Sequence, residues 1–335
     1  MLFVRLFALL PLTGTLLSQT PQPLPHPITV GEASIGSQTI VFAPVAPSAW
    51  ILEPGGTNLT LLNLEDATTG PNWSVSRPAS VLAISPSGRW LALAIPKEVQ
   101  PSLPEADVVL LDTLSGELQP PFHVSLLPSG MVITDAGLVV VSDALAQRRA
   151  EYWSLAAAYD GLTGLELSSI GNNAGTTLAL SVDQQSVFAA EYDMVRAFSL
   201  DAASGLLGFA GLSSQFAYPT PVMGVLHTLP DGIHLVSRGG WLHTGTDSGE
   251  LLQPTHTVES VAGDQVNRAF FTLGASWADG SAALFQYHAE TLQLGAHYQI
   301  PHLVRHVHRV NDALYLLTAE TNRTVIYKKI GRAHV

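Results

Sequence analysis

The residues best suited to chemistry lie near the C-terminal end, in His302-Leu-Val-Arg-His306-Val-His308-Arg309. Side chains alternate along a strand, so His306 and His308 are expected on one face, with Arg309 beside them. One reading is a polar or metal-binding site. The other is a pair of histidines hydrogen-bonded within the core or to water. Two imidazoles do not complete a zinc site, which takes about four ligands. No third ligand is identifiable from spacing, so no metal is assigned. His227 stands in a comparable strand context and joins His306, His308 and Arg309 as a candidate ligand-binding residue.

No catalytic residue is assigned. The chain contains no Gly-x-Ser-x-Gly elbow, P-loop, His-Glu-x-x-His or EF-hand loop. Asp107 and Asp112 flank one apolar stretch, and Glu151 and Asp160 another. A catalytic carboxylate pair needs burial to shift its pKa, so these read as solvated or turn residues. Four of the six tryptophans read as packing groups, while Trp73 and Trp277 stand near loop segments where a ring could stack on a ligand.

The elements that would position these groups follow from composition. The chain has 335 residues, 47% hydrophobic and only 13% charged, with 28 glycines and 22 prolines. That turn content argues against a helical bundle. The net charge of −12 disfavours nucleic-acid phosphate as a partner. There is no cysteine, which excludes disulfides, thiolate metal sites and cysteine nucleophiles.

The chain repeats itself about every 44 residues. The clearest unit has Val81 to Ile84 as its first strand and Ser85-Pro-Ser-Gly88 as a turn. Trp90 to Leu93 and Asp107 to Asp112 follow, then Thr113-Leu-Ser-Gly116 and a strand toward Val124. Turn glycines are read at Gly70, Gly116, Gly164, Gly205 and Gly249, and a sixth unit keeps Glu290-Thr291 without the glycine. Four short strands per unit in a regular phase predict an all-β fold, a seven-bladed β-propeller of four-stranded blades over residues 25–329. A pair of β-sandwiches would not hold that phase. The seventh unit supplies three strands, and His26 to Val30 is a spare strand expected to complete it and close the ring. On this alignment His306 matches Leu82 and His308 matches Ile84, on an innermost strand beside the central channel.

Residues 1–19 read as a secretory signal: Arg5 precedes an apolar run, Leu6 to Leu17, too short to span a bilayer at about 20 residues. Cleavage is expected near Ser18 or Gln19; an uncleaved anchor or a buried first strand is the alternative. Residues 330–335, Ile-Gly-Arg-Ala-His-Val, resemble a sequencing adapter read in frame and are expected to be a non-native tail.

Leu82-Ala-Ile-Ser-Pro-Ser-Gly-Arg-Trp-Leu91 and Val108-Val-Leu-Leu-Asp-Thr-Leu-Ser-Gly116 resemble the hairpin and exit turn of bacterial YVTN/WD40-like repeats. The resemblance implies a propeller, and such propellers host scaffolds, lactone hydrolases and quinone-cofactor oxidoreductases alike. The expected function is an exported, secreted or periplasmic, non-enzymatic binding scaffold. It is expected to be a monomer that needs no cofactor, binds an unknown protein or small-molecule ligand, and neither binds nucleic acid nor inserts in a membrane. The alternative is a lactonase-like hydrolase or a quinoprotein-like oxidoreductase, which would concentrate His, Arg, Asp and Glu at one end of the ring.

Overall fold

The computed structural model describes residues 28–29, 40–52, 56–66, 68–97, 105–143, 154–172, 177–190, 195–212, 226–229, 231–232, 234–237, 240–243, 256–264, 268–275, 282–299, 304–310, 313–320 and 323–330. Within them, two kinds of turn decide where strands break. The first joins strands one and two of a unit. In Ser85-Pro-Ser-Gly88 the Gly88 N–H donates to the Ser85 carbonyl at 2.8 Å, and Gly88 sits at φ +79°. The same bond recurs from Gly137 to Thr134, Gln184 to Ser181 and Gly232 to Leu229. Gln184 has no glycine's freedom, yet it takes φ +61°.

The second turn leads out of strand three. The Asp112 carboxylate accepts the Leu114 N–H at 3.0 Å, and the Gly116 N–H closes on the Asp112 carbonyl at 2.8 Å. Asp160 with Gly164 and Asp201 with Gly205 repeat it. In the sixth unit Leu292 fills the glycine's place at φ +54° and makes the same bond to His288. Asn63 begins the matching turn of the first unit, so Gly70 is not a turn glycine: it lies inside the outer strand Thr69–Ser74.

Among the described residues these strands form seven antiparallel sheets. The first holds Ile40–Phe42, Ser48–Leu52, Asn58–Asn63 and Thr69–Ser74. The second holds Val81–Ile84, Trp90–Pro96, Ala106–Asp112 and Phe122–Val124, with Glu117–Leu118 also pairing on its third strand. The third runs from Pro128–Ile133 through Leu138–Asp143 and Ser154–Asp160 to Glu166–Asn172, and the fourth from Thr177–Leu180 through Ser186–Ala190 and Val195–Leu200 to Leu207–Leu212. The fifth shows Leu226–Thr228, His234–Ser237 and Gly240–His243. The sixth holds Ser260–Asp264, Ala269–Ala275, Ala282–His288 and Leu294–Gln299. The seventh holds Val304–Val310, Ala313–Glu320 and Arg323–Ile330, completed by Ile28–Thr29.

Five sheets therefore have the four-stranded form expected. The second departs because Pro120 and Pro121 lack the N–H a ladder needs, which splits its outer strand in two. The expected outer strand of the fifth, the glycine Gly249 before it, the signal segment and residues 331–335 lie outside the described residues. The expected closure is present: Ile28 pairs with Ile326 and Thr29 with Val325.

Apolar side chains fill the space between consecutive sheets. Trp50, Leu52 and Leu59 of the first sheet meet Leu91, Leu93 and Ile95 of the second. Val108 and Leu110 meet Met131, Val139 and Tyr159 of the third. Val140 and Ala158 meet Val187 and Phe198 of the fourth. Phe188 and Val195 meet Leu226 and Leu235 of the fifth, and Val236 meets Phe270 and Phe285 of the sixth. Phe271 and Leu284 meet Val307 and Leu316 of the seventh. Tyr315 and Leu317 then meet Ile40, Ile51 and Leu62 of the first. This is the stacked-blade arrangement of a β-propeller.

The turns separate two contributions of glycine. A Cβ on Gly232 (φ +70°) would meet nothing within 4 Å, whereas one on Gly205 (φ +69°) would fall 2.2 Å from Leu167 of the neighbouring sheet. Gly232→Ala should therefore cost only the backbone strain of about 1–2 kcal/mol. Gly205→Ala should cost clearly more. Urea midpoints of the two variants check this; equal losses would mean that the third and fourth sheets do not pack as described.

Candidate ligand-binding site

His306 and His308 stand on Val304–Val310, the first strand of the seventh sheet. A bulge lies between Val304, opposite Thr318, and His306, opposite Leu317. Beyond it the strand alternates regularly. Val310 faces the first sheet and Val307 the sixth. His306 and His308 share the first-sheet side and converge on one ring, Phe42. His308 stacks on it at 4.5 Å between centroids, 8° from parallel, and His306 meets its edge at 6.5 Å.

His306 and His308 do not take the places of Leu82 and Ile84 expected from the repeat. Leu82 and Ile84 pack against the preceding sheet, and Leu178 does the same. The two histidines face the following one. In the seventh sheet Arg309 takes the other side, its guanidinium 5.8 Å above the Phe271 ring of the sixth sheet. A one-residue slip turns every side chain to the opposite face. The bulge between Val304 and His306 breaks the register of this strand just before the two histidines.

Burial pushes the His308 imidazole down to about 4, against the opposing effect of a hydrogen bond to the backbone of Ala43 in the first sheet. Its Nε2 is buried with no hydrogen-bond partner among the described residues. His227, on Leu226–Thr228 of the fifth sheet, is also pushed down to about 4 by burial, although its side chain is open to solvent. The adjacent Thr228 hydroxyl donates to the Leu180 carbonyl at 2.7 Å, tying the innermost strands of the fourth and fifth sheets. His306 and His308 are thus brought together, Arg309 is turned away from them, and His227 stands two sheets off.

A second buried histidine network has no sequence signal. His256 is fully buried ahead of the sixth sheet's first strand. Its Nε2 and the Thr272 hydroxyl are 2.7 Å apart, its Nδ1 and the Tyr287 hydroxyl 3.3 Å, and its ring stacks on Phe285 at 3.6 Å. Burial pushes His256 down to about 4 and the Tyr287 phenol up. The close pass needs Gly274: a Cβ there would fall 1.5 Å from the Thr257 carbonyl oxygen. Only folding brings Thr272 and Tyr287, from two further strands, to His256. Among the described residues no group of three or more His, Cys, Asp or Glu is placed to hold a metal ion.

The other polar candidates serve the fold. Asp107 pairs with Arg77 at 3.2 Å and Lys97 at 2.6 Å, and Asp112 with Arg89 at 3.3 Å. The Trp73 indole donates to the Gly116 carbonyl at 2.8 Å and packs on Trp50, so it is a packing group. Glu151 and Trp277 lie outside the described residues.

No protein-family model and no curated protein matches the chain. Solved structures match it across nearly its whole length. One is described as a mitotic checkpoint complex, with a TM-score of 0.64 and 10% identity, covering 98% of this chain and 97% of that one. Another is described as the structure of U3-55K, with a TM-score of 0.61 and 12% identity, covering 91% of this chain and 100% of that one. The hydrazine synthase of Kuenenia stuttgartiensis gives 0.57 and 13%, covering 90% and 97%. At these identities the likeness is one of fold, and the fold is a WD40-like β-propeller.

The buried imidazoles make acid stability a test of this geometry. Free histidine titrates near 6.5. With folded values near 4 for His256 and His308, the unfolded chain binds more protons between about pH 6.5 and 4. Stability is then full above that window and falls as pH drops through it. Melting midpoints from pH 7.5 to 4.5 should decline, and His308→Leu should make the decline shallower. An unchanged slope in that variant would place His308 in solvent.

Proposed function

We propose that the chain is an exported, seven-bladed propeller that acts as a non-enzymatic binding scaffold. The blade count is supported by the seven apolar interfaces between consecutive sheets and by the pairing of Ile28–Thr29 with the last strand. The scaffold reading is carried by where the charged groups go. Asp112, Asp160 and Asp201 accept backbone N–H groups of their own turns, and Asp135 accepts the Ser87 N–H of the neighbouring sheet at 2.7 Å. These carboxylates hold the turns in shape, and the turns also expose Leu114, Leu162, Leu165 and Leu206. The likeness to a chain of a mitotic checkpoint complex supports a role in assembly. The net charge of −12 favours protein over nucleic acid as the partner. His306, His308 and Phe42 form a secondary candidate site, where a small polar ligand would satisfy the buried Nε2 of His308.

Two measurements test the reading. Assays with lactone substrates and with dye-coupled oxidation of alcohols should show no turnover; turnover abolished by His308→Ala or His227→Ala would make the protein an enzyme. Intact mass of the protein recovered from the extracytoplasmic fraction should be about 2 kDa below that of the full chain. Retention of Met1 on a cytoplasmic species would end the export proposal.

A further inference from the structure

The first and second kinds of turn lie at the same end of the sheets. The Thr113 N–H and hydroxyl donate to the Arg89 and Gly88 carbonyls at 2.8 and 2.7 Å, the Gly161 N–H to Gly137 at 3.0 Å, and the Leu200 N–H to Gln185 at 2.7 Å. Across sheets two to four this end carries large apolar side chains in solvent: Leu114 is 81% exposed, Leu165 63%, Leu206 55%, Leu162 54% and Val182 46%. They stand on successive turns that pack one sheet on the next, because each exit turn lies against the outer strand before it. Gly164 abuts Phe122, and Gly205 abuts Leu167 while its carbonyl accepts the Ser168 hydroxyl at 2.7 Å. Exposed leucines gathered on the turns at one end of three consecutive sheets, rather than scattered over the surface, point to an interaction surface.

The charges on the same turns are of one sign. Glu117, Asp135, Asp160, Glu166, Asp183 and Asp201 border the leucines. Arg89, the lysine or arginine found among the described residues of these turns, is paired with Asp112. The Ser181 hydroxyl and the Gln185 N–H hold the Asp183 carboxyl below the usual range, and the Ala203 N–H does the same for Asp201, so both stay ionised. Beside these turns a cleft of about 280 Å³ combines Val182 and Phe188 with the Asp183 carboxylate, against Gly232 of the fifth sheet.

We infer that this end of sheets two to four docks a protein segment whose apolar side chains are flanked by lysine or arginine. The leucines bury its apolar face, and the carboxylates pair with its cations and orient it. A second copy of this chain would bring like charges together across the contact, and an anionic membrane would be repelled for the same reason. The inference rests on the scaffold reading and adds where the partner sits and what it carries.

The test uses a fluorescent amphipathic peptide of leucine and lysine, its leucine and glutamate counterpart, and the chain with Leu114→Ser, Leu165→Ser and Leu206→Ser. Those side chains are exposed, so the triple variant should melt like the wild type. The lysine peptide should bind the wild type about tenfold or more tighter than the variant, and weaken as salt rises. A photoreactive form should cross-link to the turns of sheets two to four. Equal binding to the variant, or cross-links at the other end of the ring, would overturn the site while leaving the scaffold reading intact. Several other outcomes would overturn the inference itself: no binding of the lysine peptide, equal binding of the glutamate peptide, binding of these turns to phosphatidylcholine vesicles, or a wild-type dimer that the variant dissolves.

Discussion

A four-stranded sheet whose strands are apolar on both faces cannot stay in water alone, and everything else in this protein follows from how those faces are covered. Leu91 and Leu93 point one way from their strand, and Ala92 and Ala94 the other. Each side needs a neighbouring sheet. A row of stacked sheets would leave its two ends bare. Bending the row until Tyr315 and Leu317 meet Ile40 and Ile51 removes both ends. Burying a leucine or valine contributes roughly 1.5–3 kcal/mol. With several such residues buried at each interface, the closed arrangement is favoured over any open one without specific polar contacts.

The closing strand adds a different contribution. Ile28 and Thr29 supply backbone partners for Val325 and Ile326 at the outer edge of the last sheet. An unpaired edge there would be open to pairing with another chain. The apolar interface between the seventh and first sheets holds the ends of the ring together as well.

Hydrogen bonds between turns fine-tune this packing. Gln184 accepts the Asp135 N–H at 2.7 Å and donates to the Asp135 carboxylate at 2.7 Å, while the same carboxylate accepts the Ser87 N–H. One carboxylate therefore ties three consecutive sheets at one end. The left-handed backbone of Gln184 costs energy that a glycine would avoid, and the side chain it places across the interface offsets that cost. The buried histidines act similarly: His256 bridges Thr272 and Tyr287 within the sixth sheet, and His308 joins the seventh sheet to Phe42 and Ala43 of the first.

The sequence by itself determined the repeat, the strand breaks and the closure. Each is written in a few contiguous residues: Ser85-Pro-Ser-Gly88, Asp112 to Gly116, and the spare strand before the first unit. Turn geometry is a local matter, so the left-handed glycine and the carboxylate that caps the turn announce themselves. Gly70 misled because a glycine of the right spacing lay just past the true turn at Asn63. The tertiary structure alone decided which way His306 and His308 point. That depends on register, which a bulge before His306 shifts, and a register is set by partners on another strand. It alone decided that Gln184 and Leu292 would take the left-handed backbone that glycine takes at the matching turns. It alone assembled His256 with Thr272 and Tyr287, because the sequence carries no sign of a contact between residues 16 and 31 apart. Local chemistry bends a chain where the residues say so, but a side chain's environment is chosen by whatever the fold brings against it.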